Sequence, residues 1–169
     1  NASITVKNVG MNPTRTGILE VLRSMGANIK ILNLRDEGGE PTADLVAETS
    51  TLRPTDISGD LIPRVIDELP VLALAACFAN GTSTISGAGE LRVKESDRII
   101  ATVDGLRRLG AKVLEKPDGL VIRGGSALVG AECSSYNDHR IAMTLGIAGL
   151  VAQGETVVLD SDAVDISYP

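Results

Sequence analysis

The hydrophobic positions of this chain alternate in some stretches and recur every three to four residues in others, which predicts strands interspersed with helices. Two helical stretches are amphipathic, whereas two others are apolar nearly all round and are expected to be buried. The predicted strands are 4–9, 29–32, 43–48, 82–85, 111–115, 120–123, 131–133 and 156–159. The predicted amphipathic helices are 16–25 and 99–109, and the predicted apolar helices are 71–79 and 136–152.

Two parts of this pattern occur twice. Residues 21–27 (VLRSMGA) resemble residues 105–111 (GLRRLGA). In addition, Asp67 is followed by an apolar helix and then by 81–82 (GT), and Asp138 is followed in the same way by an apolar helix and then by 154–156 (GET). Repetition of this kind predicts repeated β/α units. We therefore expect an α/β fold in which mixed sheets lie outside and the apolar helices lie at the centre.

Composition indicates an ordinary globular protein with an aliphatic core. Of 169 residues, 43% are hydrophobic and 22% are charged, and the formal net charge is −6. The acidic balance argues against a nucleic-acid-binding surface, which needs clustered basic residues. Phe78, Tyr136 and Tyr168 are the only aromatic residues. The longest apolar run, 69–79, is shorter than the ~20 residues that span a bilayer, so no membrane association is expected.

The cysteines and the ends of the chain suggest where it belongs. Cys77 and Cys133 form neither a disulfide framework nor a zinc-binding spacing, which favours a buried structural thiol at Cys77 and a cytoplasmic location. The chain starts at Asn1 in a strand-like run and stops at 167–169 without a closing element, so we expect a piece of a longer polypeptide. Its glycine-rich stretches match neither a dinucleotide nor a phosphate-loop spacing, and no cofactor or metal is expected.

The charged junction at 89–98 (GELRVKESDR) is the most unusual stretch. It leads from a strand into a helix, and it places Lys94 and Arg98 in or near the first helical turn, where the helix dipole favours anions. Cations there are explained by an anion bound jointly by the side chains and the helix N–H groups. The alternative is a solvated helix start in which Glu95 and Asp97 are local partners.

Polar residues also stand at the starts of the other predicted helices. If the repeated units pack in parallel, these ends converge on one surface that offers arginines for phosphate or carboxylate and carboxylates able to move protons. Asp67 and Asp138 could instead be simple helix N-caps. His139 is the only histidine, which excludes a zinc cluster, and a solvent-facing role is the alternative. The residues concerned are Arg15, Asp67, Glu68, Lys94, Glu95, Arg98, Asp138, His139 and Arg140.

Four segments of the chain resemble the 5-enolpyruvylshikimate-3-phosphate synthase family. Residues 91–98 (LRVKESDR) are similar to its Arg-Val-Lys-Glu-(Ser/Thr)-Asp-Arg signature, and residues 137–143 (NDHRIAM) are similar to its Asp-His-Arg block. Residues 6–17 and the closing Ser-Tyr-Pro at 167–169 fit in the same order, so the resemblance covers essentially the whole chain. It implies two domains, each of three βαβαββ units around a pseudo-threefold axis, with residues 1–169 forming most of the C-terminal domain.

The resemblance also implies an activity and a set of site residues. The family transfers the enolpyruvyl group of phosphoenolpyruvate to the 5-hydroxyl of shikimate 3-phosphate and releases phosphate. Asp67 is implied as proton acceptor and shikimate 3-phosphate contact, and Glu95 as the acid/base at the enolpyruvyl methylene. Lys94 and Glu90 are implied contacts of shikimate 3-phosphate. Arg98 and Arg140 are implied to bind phosphoenolpyruvate, with His139 beside them, while Arg15 receives no role.

One departure from the family pattern and two alternatives accompany this interpretation. One branch of the family has a lysine just before the final aromatic–Pro pair, where this chain has Asp165-Ile166-Ser167, so the chain resembles the other branch, which is often less sensitive to glyphosate. The missing N-terminal half would have to supply further phosphate contacts. The alternatives are an isolated substrate-binding domain without turnover, and the sibling transferase that acts on UDP-N-acetylglucosamine.

Overall fold

The computed structural model describes residues 2–167, in which nine strands and six α-helices alternate. The strands are β1 (Ser3–Gly10), β2 (Asn28–Glu37), β3 (Glu40–Glu48), β4 (Asp56–Ile57), β5 (Thr82–Ile85), β6 (Lys112–Lys116), β7 (Gly119–Arg123), β8 (Glu132–Ser134) and β9 (Val157–Leu159). The helices are α1 (Gly17–Ser24), α2 (Ile62–Val65), α3 (Leu69–Cys77), α4 (Arg98–Arg108), α5 (His139–Val151) and α6 (Ala163–Ser167). Short 3₁₀ helices span Gly59–Leu61 and Gly89–Val93.

The strands form three sheets. The first has the order β1-β3-β2 and is antiparallel throughout. The second has the order β4-β5-β7-β6, in which β4 runs parallel to β5 and the other neighbours are antiparallel. In the third, β8 and β9 pair in parallel. The sheets are therefore mixed in direction, as the sequence predicted.

One unit contains all six elements of a repeat, and two others show four of the six elements each. The elements β4, α3, β5, α4, β6 and β7 follow one another as βαβαββ within one sheet. The segment β1-α1-β2-β3 repeats the last four elements of this order with the same strand pairing, and β8-α5-β9-α6 repeats the first four. The predicted repeated units are thus present, and the two sequence repeats fall on equivalent elements.

The core forms where α3 packs against α4 and α5. Helix α3 is buried along most of its length, including Leu69, Leu72 and Ala76, as its uniformly apolar sequence predicts. Helices α4 and α5 approach closely at Gly105, because a Cβ there would lie 2.7 Å from the Leu145 side chain. Helix α5 is less enclosed than predicted, since Leu150 on its outer end is 86% exposed within the described residues.

Local differences from the sequence prediction have local causes. The predicted helix 16–25 starts one residue later, at Gly17, because the Asn12 side chain accepts hydrogen bonds from the N–H and hydroxyl of Thr14 and forms a turn ahead of α1. The two-residue strand β4 and the short helices α2 and α6 were not predicted, because elements this short carry no periodicity. The predicted strands 111–115 and 120–123 are present as β6 and β7, which pair as a hairpin.

Two further predictions can be compared with the described residues. Cys77 and Cys133 are both free and buried, and burial raises the pKa of the Cys77 thiol to about 12, as expected of a structural cysteine. Within residues 2–167, every helix is too short or too polar to cross a membrane. Of the closing Ser-Tyr-Pro segment, Tyr168 and Pro169 lie outside the described residues.

Candidate active site

The starts of four helices meet at the carboxylate of Asp67. This residue lies just ahead of α3, and three arginines from elsewhere in the chain reach it. Arg15 Nη1 lies 3.4 Å from Asp67 Oδ2, Arg98 Nη1 lies 3.3 Å from Oδ1, and Arg140 Nη2 lies 3.3 Å from Oδ2. Asp67 makes no capping hydrogen bond to α3, so the simple N-cap interpretation of this residue is wrong.

The guanidinium of Arg98 lies at the centre of the group and is almost wholly buried. Its side chain is only 1% exposed, although arginine is rarely buried unless it is paired. It is paired three times. Nε donates to Asp138 Oδ2 at 2.8 Å, Nη2 donates to Glu95 Oε2 at 2.5 Å, and Nη1 donates to Asp67 Oδ1 at 3.3 Å. We call the connected set Arg15, Asp67, Glu68, Glu95, Arg98, Asp138 and Arg140 the carboxylate–arginine cluster.

Asp138 has a larger part in this cluster than the sequence suggested. As predicted for an N-cap, its Oδ1 accepts the backbone N–H of Arg140 at 2.9 Å and so begins α5. Its other oxygen accepts from Arg98 and from the hydroxyl of Ser96, and the side chain is completely inaccessible. No local sequence pattern shows this role, because it depends on a contact between two motifs that lie 40 residues apart in the chain.

Arg140 is held on the opposite side of Asp67. Its guanidinium contacts the Asp67 carboxylate and lies 3.8 Å from Glu68 Oε1, and the side chain is 31% exposed. A groove of about 170 Å³ opens beside these residues between α3 and α5. A larger depression of about 430 Å³ near Thr82 and Lys112 gathers no carboxylate. The convergence of charges, rather than cavity size, therefore marks the candidate site.

Lys94 and Glu90 lie on the loop that precedes α4 and pair with each other. The prediction that Lys94 stands in the first helical turn with Arg98 is wrong, because a 3₁₀ helix ends at Val93, Lys94 is extended and α4 begins only at Arg98. The two cations therefore do not share a helix face. The carboxylate partners of Arg98 account for its position at the helix start.

His139 is the first residue of α5 and is half-buried. Among residues 2–167 its ring forms no hydrogen bond, which leaves it beside the cluster rather than within it. In the same part of the chain, no group of three or more His, Cys, Asp or Glu side chains is arranged to hold a metal ion.

The rest of the charged motif holds the loop in place. Arg92 donates to the backbone carbonyls of Lys116 and Pro117 at 2.7 and 2.6 Å, which ties the loop to the β6–β7 turn. It also pairs with Asp97, whose other oxygen accepts the N–H groups of Ile99 and Ile100 and so caps α4. The sequence had left open a helix start with Asp97 as a local partner, which is the role that Asp97 has here, but it gave no sign of the part that Arg92 plays.

Two carboxyl groups of the cluster have opposite pKa shifts. Burial acts to raise the pKa of Asp138, but the hydrogen bond and positive charge of Arg98 outweigh it and hold this pKa below its ordinary value. Burial raises the pKa of Glu68, and the charge of the more distant Arg140 only partly offsets it. The surroundings of Asp138 therefore favour its ionised form, whereas the burial of Glu68 makes its ionised form less favourable than in water.

The cluster can do two kinds of chemistry. Its arginines offer donors with the fork geometry that suits carboxylate and phosphate. Glu95, 53% exposed, and Asp67, 21% exposed, are carboxylates at the accessible edge, where they can exchange protons with a bound molecule. A site of this kind is suited to an anionic substrate and to proton transfer at two separate atoms.

The fold and the sequence both match known proteins. The solved enolpyruvyl transferase NikO from Streptomyces tendae has the same fold, with a TM-score of 0.72 over 99% of this chain and 36% of its own, at 19% identity. The solved EPSP synthase from Acinetobacter baumannii is more similar, with a TM-score of 0.95 and 41% identity over 99% of this chain and 40% of that protein.

The sequence comparison defines the family. The family model for EPSP synthase (3-phosphoshikimate 1-carboxyvinyltransferase) matches residues 1–169. The 3-phosphoshikimate 1-carboxyvinyltransferases of Desulforudis audaxviator and Synechococcus elongatus are 53% and 54% identical over 168 and 169 residues. The chain belongs to the EPSP synthase family, and the predicted fold class is confirmed. It spans only 39% and 38% of the length of these two relatives.

Proposed function

We propose that this chain supplies one side of an active site that transfers the enolpyruvyl group of phosphoenolpyruvate to the 5-hydroxyl of shikimate 3-phosphate. The observation that carries the proposal is the convergence of Asp67, Glu95, Arg98 and Arg140, from three separate helix starts, in a member of the EPSP synthase family. The reaction needs anion-binding arginines and two proton-transferring carboxylates, and these are the groups that converge.

Residues 1–169 make up, in this proposal, most of the C-terminal domain of a two-domain enzyme. The proposal rests on the share of the relatives' length that the chain spans, which is 39% for the relative from Desulforudis audaxviator. An N-terminal domain of the same polypeptide would close over the cluster and bring further phosphate contacts. The fragment alone is then expected to be inactive. A cytoplasmic location is also proposed, since both cysteines are free, buried thiols.

Each site residue has a proposed part in the reaction. Arg98 and Arg140 bind phosphoenolpyruvate, with His139 beside them, and Lys94 with Glu90 contacts shikimate 3-phosphate. Asp67 takes the proton of the 5-hydroxyl while Glu95 gives a proton to the methylene carbon of phosphoenolpyruvate, so the hydroxyl oxygen bonds to C2. The new methyl group then returns a proton to Glu95, the C2–O bond to phosphate breaks, and inorganic phosphate leaves with the proton that Asp67 had taken.

The contact between Glu95 and Arg98 has to open before phosphoenolpyruvate can bind to Arg98. Glu95 Oε2 lies 2.5 Å from Arg98 Nη2. Because the Arg98 side chain is only 1% exposed, a substrate anion reaches this nitrogen only where Glu95 moves away. The displaced Glu95 carboxyl group would then lie beside the bound substrate, where proton transfer to its methylene carbon is proposed.

Phosphate release tests the proposal. Phosphoenolpyruvate and shikimate 3-phosphate are given to the 169-residue chain alone, and then to the chain mixed with a separately produced N-terminal half. Activity is expected only in the mixture. UDP-N-acetylglucosamine is the control acceptor, and turnover with it would assign the chain to the sibling activity. Silence in both samples, with the chain shown to be folded, would favour a binding domain without turnover.

A single substitution tests the role of Glu95 in the full-length polypeptide. Glu95→Gln keeps the size of the side chain but removes its exchangeable proton, so turnover should fall by about 10²- to 10⁴-fold. Glu132→Gln is the matched control, since Glu132 is an exposed carboxylate of β8 that lies outside the carboxylate–arginine cluster. A near-normal rate for Glu95→Gln would remove Glu95 from the mechanism.

A further inference from the structure

We propose that Asp138 is a positioning residue, which fixes the guanidinium of Arg98 so that one edge remains available for phosphoenolpyruvate. This inference rests on the proposed function. The family resemblance gave Asp138 no role. Of the three carboxylates that contact Arg98, Asp138 would be the permanent partner, while Asp67 and Glu95 could be replaced by a substrate anion.

The hydrogen bonds of Asp138 account for both of its oxygens. Oδ2 accepts from Arg98 Nε at 2.8 Å and from Ser96 Oγ at 3.0 Å. Oδ1 accepts from the Arg140 N–H at 2.9 Å and lies 3.4 Å from Arg98 Nη2. Each carboxylate oxygen has two lone pairs, so the group is fully used inside the protein. No acceptor of Asp138 is left for a ligand.

The contact is made on one particular edge of the guanidinium. Asp138 takes the Nε–Nη2 edge, and two contacts on one edge fix the plane of the group as well as its position. The other edge faces Glu95 through Nη2 and Asp67 through Nη1. Those two partners are 53% and 21% exposed, whereas Asp138 is 0% exposed. Only the outer edge can therefore exchange a protein carboxylate for a substrate carboxylate or phosphate.

Asp138 also fixes the distance between the two arginines that we assign to phosphoenolpyruvate. The same carboxylate binds the side chain of Arg98 and the backbone of Arg140. The turn before it is tightly determined, since Tyr136 and Asn137 both have φ of 55° and the Ser135 hydroxyl donates to the Asp160 carbonyl at 2.6 Å. A shift of Asp138 would move both arginines relative to each other.

The Asp138→Asn variant distinguishes the positioning of Arg98 from a role in helix capping alone. Asparagine caps helices as well as aspartate does, so the bond to the Arg140 N–H survives. The amide lacks the charge and has one oxygen instead of two, so Arg98 Nε or Ser96 loses its acceptor. Asp97→Asn is the matched control, because Asp97 caps α4 and pairs with an arginine in the same way but faces Arg92.

The experiment uses the full-length polypeptide and compares the KM values of the two substrates. Asp138→Asn should raise the KM for phosphoenolpyruvate ~10- to 100-fold, the size expected for losing a hydrogen bond to a charged group, with little change for shikimate 3-phosphate. Asp97→Asn should leave the ratio of the two KM values unchanged. Equal effects on the KM values of both substrates, or no effect on either, would overturn the proposal.

If Asp138→Asn does not fold, Ser96→Ala replaces it. The KM for phosphoenolpyruvate should then rise ~2- to 10-fold, and an unchanged KM would count against the proposal.

A second measurement does not depend on turnover. The Arg98 Nε–H group should be strongly protected from exchange with solvent in ¹⁵N-edited NMR spectra of the wild type and Asp97→Asn, and should lose protection in Asp138→Asn. Unchanged protection in Asp138→Asn would overturn the positioning role. If the wild type neither binds phosphoenolpyruvate nor releases phosphate, the proposed function fails, while this exchange rate still decides whether Asp138 fixes Arg98.

Discussion

Two aspartates begin helices in this protein with nearly the same local geometry but in very different surroundings. Asp97 caps α4 with one oxygen and pairs with Arg92 through the other, at 2.8 Å. Asp138 caps α5 with one oxygen and pairs with Arg98 through the other, also at 2.8 Å. Asp97 is 29% exposed and Asp138 is 0% exposed.

The comparison indicates that the role of an Asp–Arg pair depends on its burial and on whether the arginine comes from the same segment of the chain or from another one. Arg92 comes from the same loop as Asp97 and donates its remaining hydrogen bonds to a nearby turn and to the Glu115 carboxylate of β6, so this pair holds local structure. Arg98 comes from another helix than Asp138 and turns its remaining nitrogens toward Asp67 and Glu95. The exposed pair supports the loop, while the buried pair orients a group of the candidate site.

The largest difference between the two should be in stability. Asp138→Ala leaves the buried guanidinium of Arg98 without its main partner, and breaking a buried pair in this way costs about 3–5 kcal/mol. Asp97→Ala removes an exposed cap and should cost about 0.5–2 kcal/mol. Native-state hydrogen exchange of the α4 and α5 amides in the full-length polypeptide measures both losses locally. Equal losses would remove the distinction between the two caps.

Most elements of the fold could be predicted from the sequence. Within residues 2–167, alternating and apolar runs predicted eight of the nine strands and missed only the two-residue β4, and the buried helix α3 followed from its uniformly apolar sequence. The N-cap interpretation of Asp138 could also be made from the sequence, because capping depends on residues that are close together in the chain.

The candidate site could be predicted only in part. A family resemblance picked out Asp67, Glu95, Arg98 and Arg140, but their contacts join segments as far apart as 73 residues. The burial of Arg98 depends on packing between α4 and α5, which no local pattern contains. Lys94 was misplaced because charge spacing alone does not show that a 3₁₀ helix and an extended residue precede α4.

A smaller effect is expected from the exposed pair's arginine. Arg92→Ala removes the donors to the Lys116 and Pro117 carbonyls, so the amides of the β6–β7 turn should exchange about tenfold faster while the α5 amides stay unchanged. Arg92→Lys should restore only part of the protection, because a single ammonium cannot reach both carbonyls and both carboxylates in the geometry of a guanidinium. Equal loosening of α5 would mean that the two pairs are energetically coupled.

The smallest expected difference is in the response to acid, and it contrasts Asp138 with Glu68. The pKa of Asp138 is held below its ordinary value, so its contribution to stability is complete above the unfolded-state pKa of about 3.9 and is lost as the pH falls through the lower folded-state value. The pKa of Glu68 is raised, so the cost of its buried charge is present at neutral pH and is relieved as the pH falls toward about 4.3.

These opposite signs can be measured with two isosteric variants of the full-length polypeptide. Relative to the wild type, Asp138→Asn should be less stable at neutral pH, and this deficit should shrink below about pH 4 because the wild type then loses its own ionised carboxylate. Glu68→Gln should show the reverse trend, with its stability relative to the wild type falling as the pH is lowered. Urea unfolding midpoints between about pH 7 and pH 3 test both trends. A deficit of Asp138→Asn that stayed constant down to the lowest pH would show that its charge adds nothing to its hydrogen bonds, and that the buried pair differs from the exposed one in packing alone.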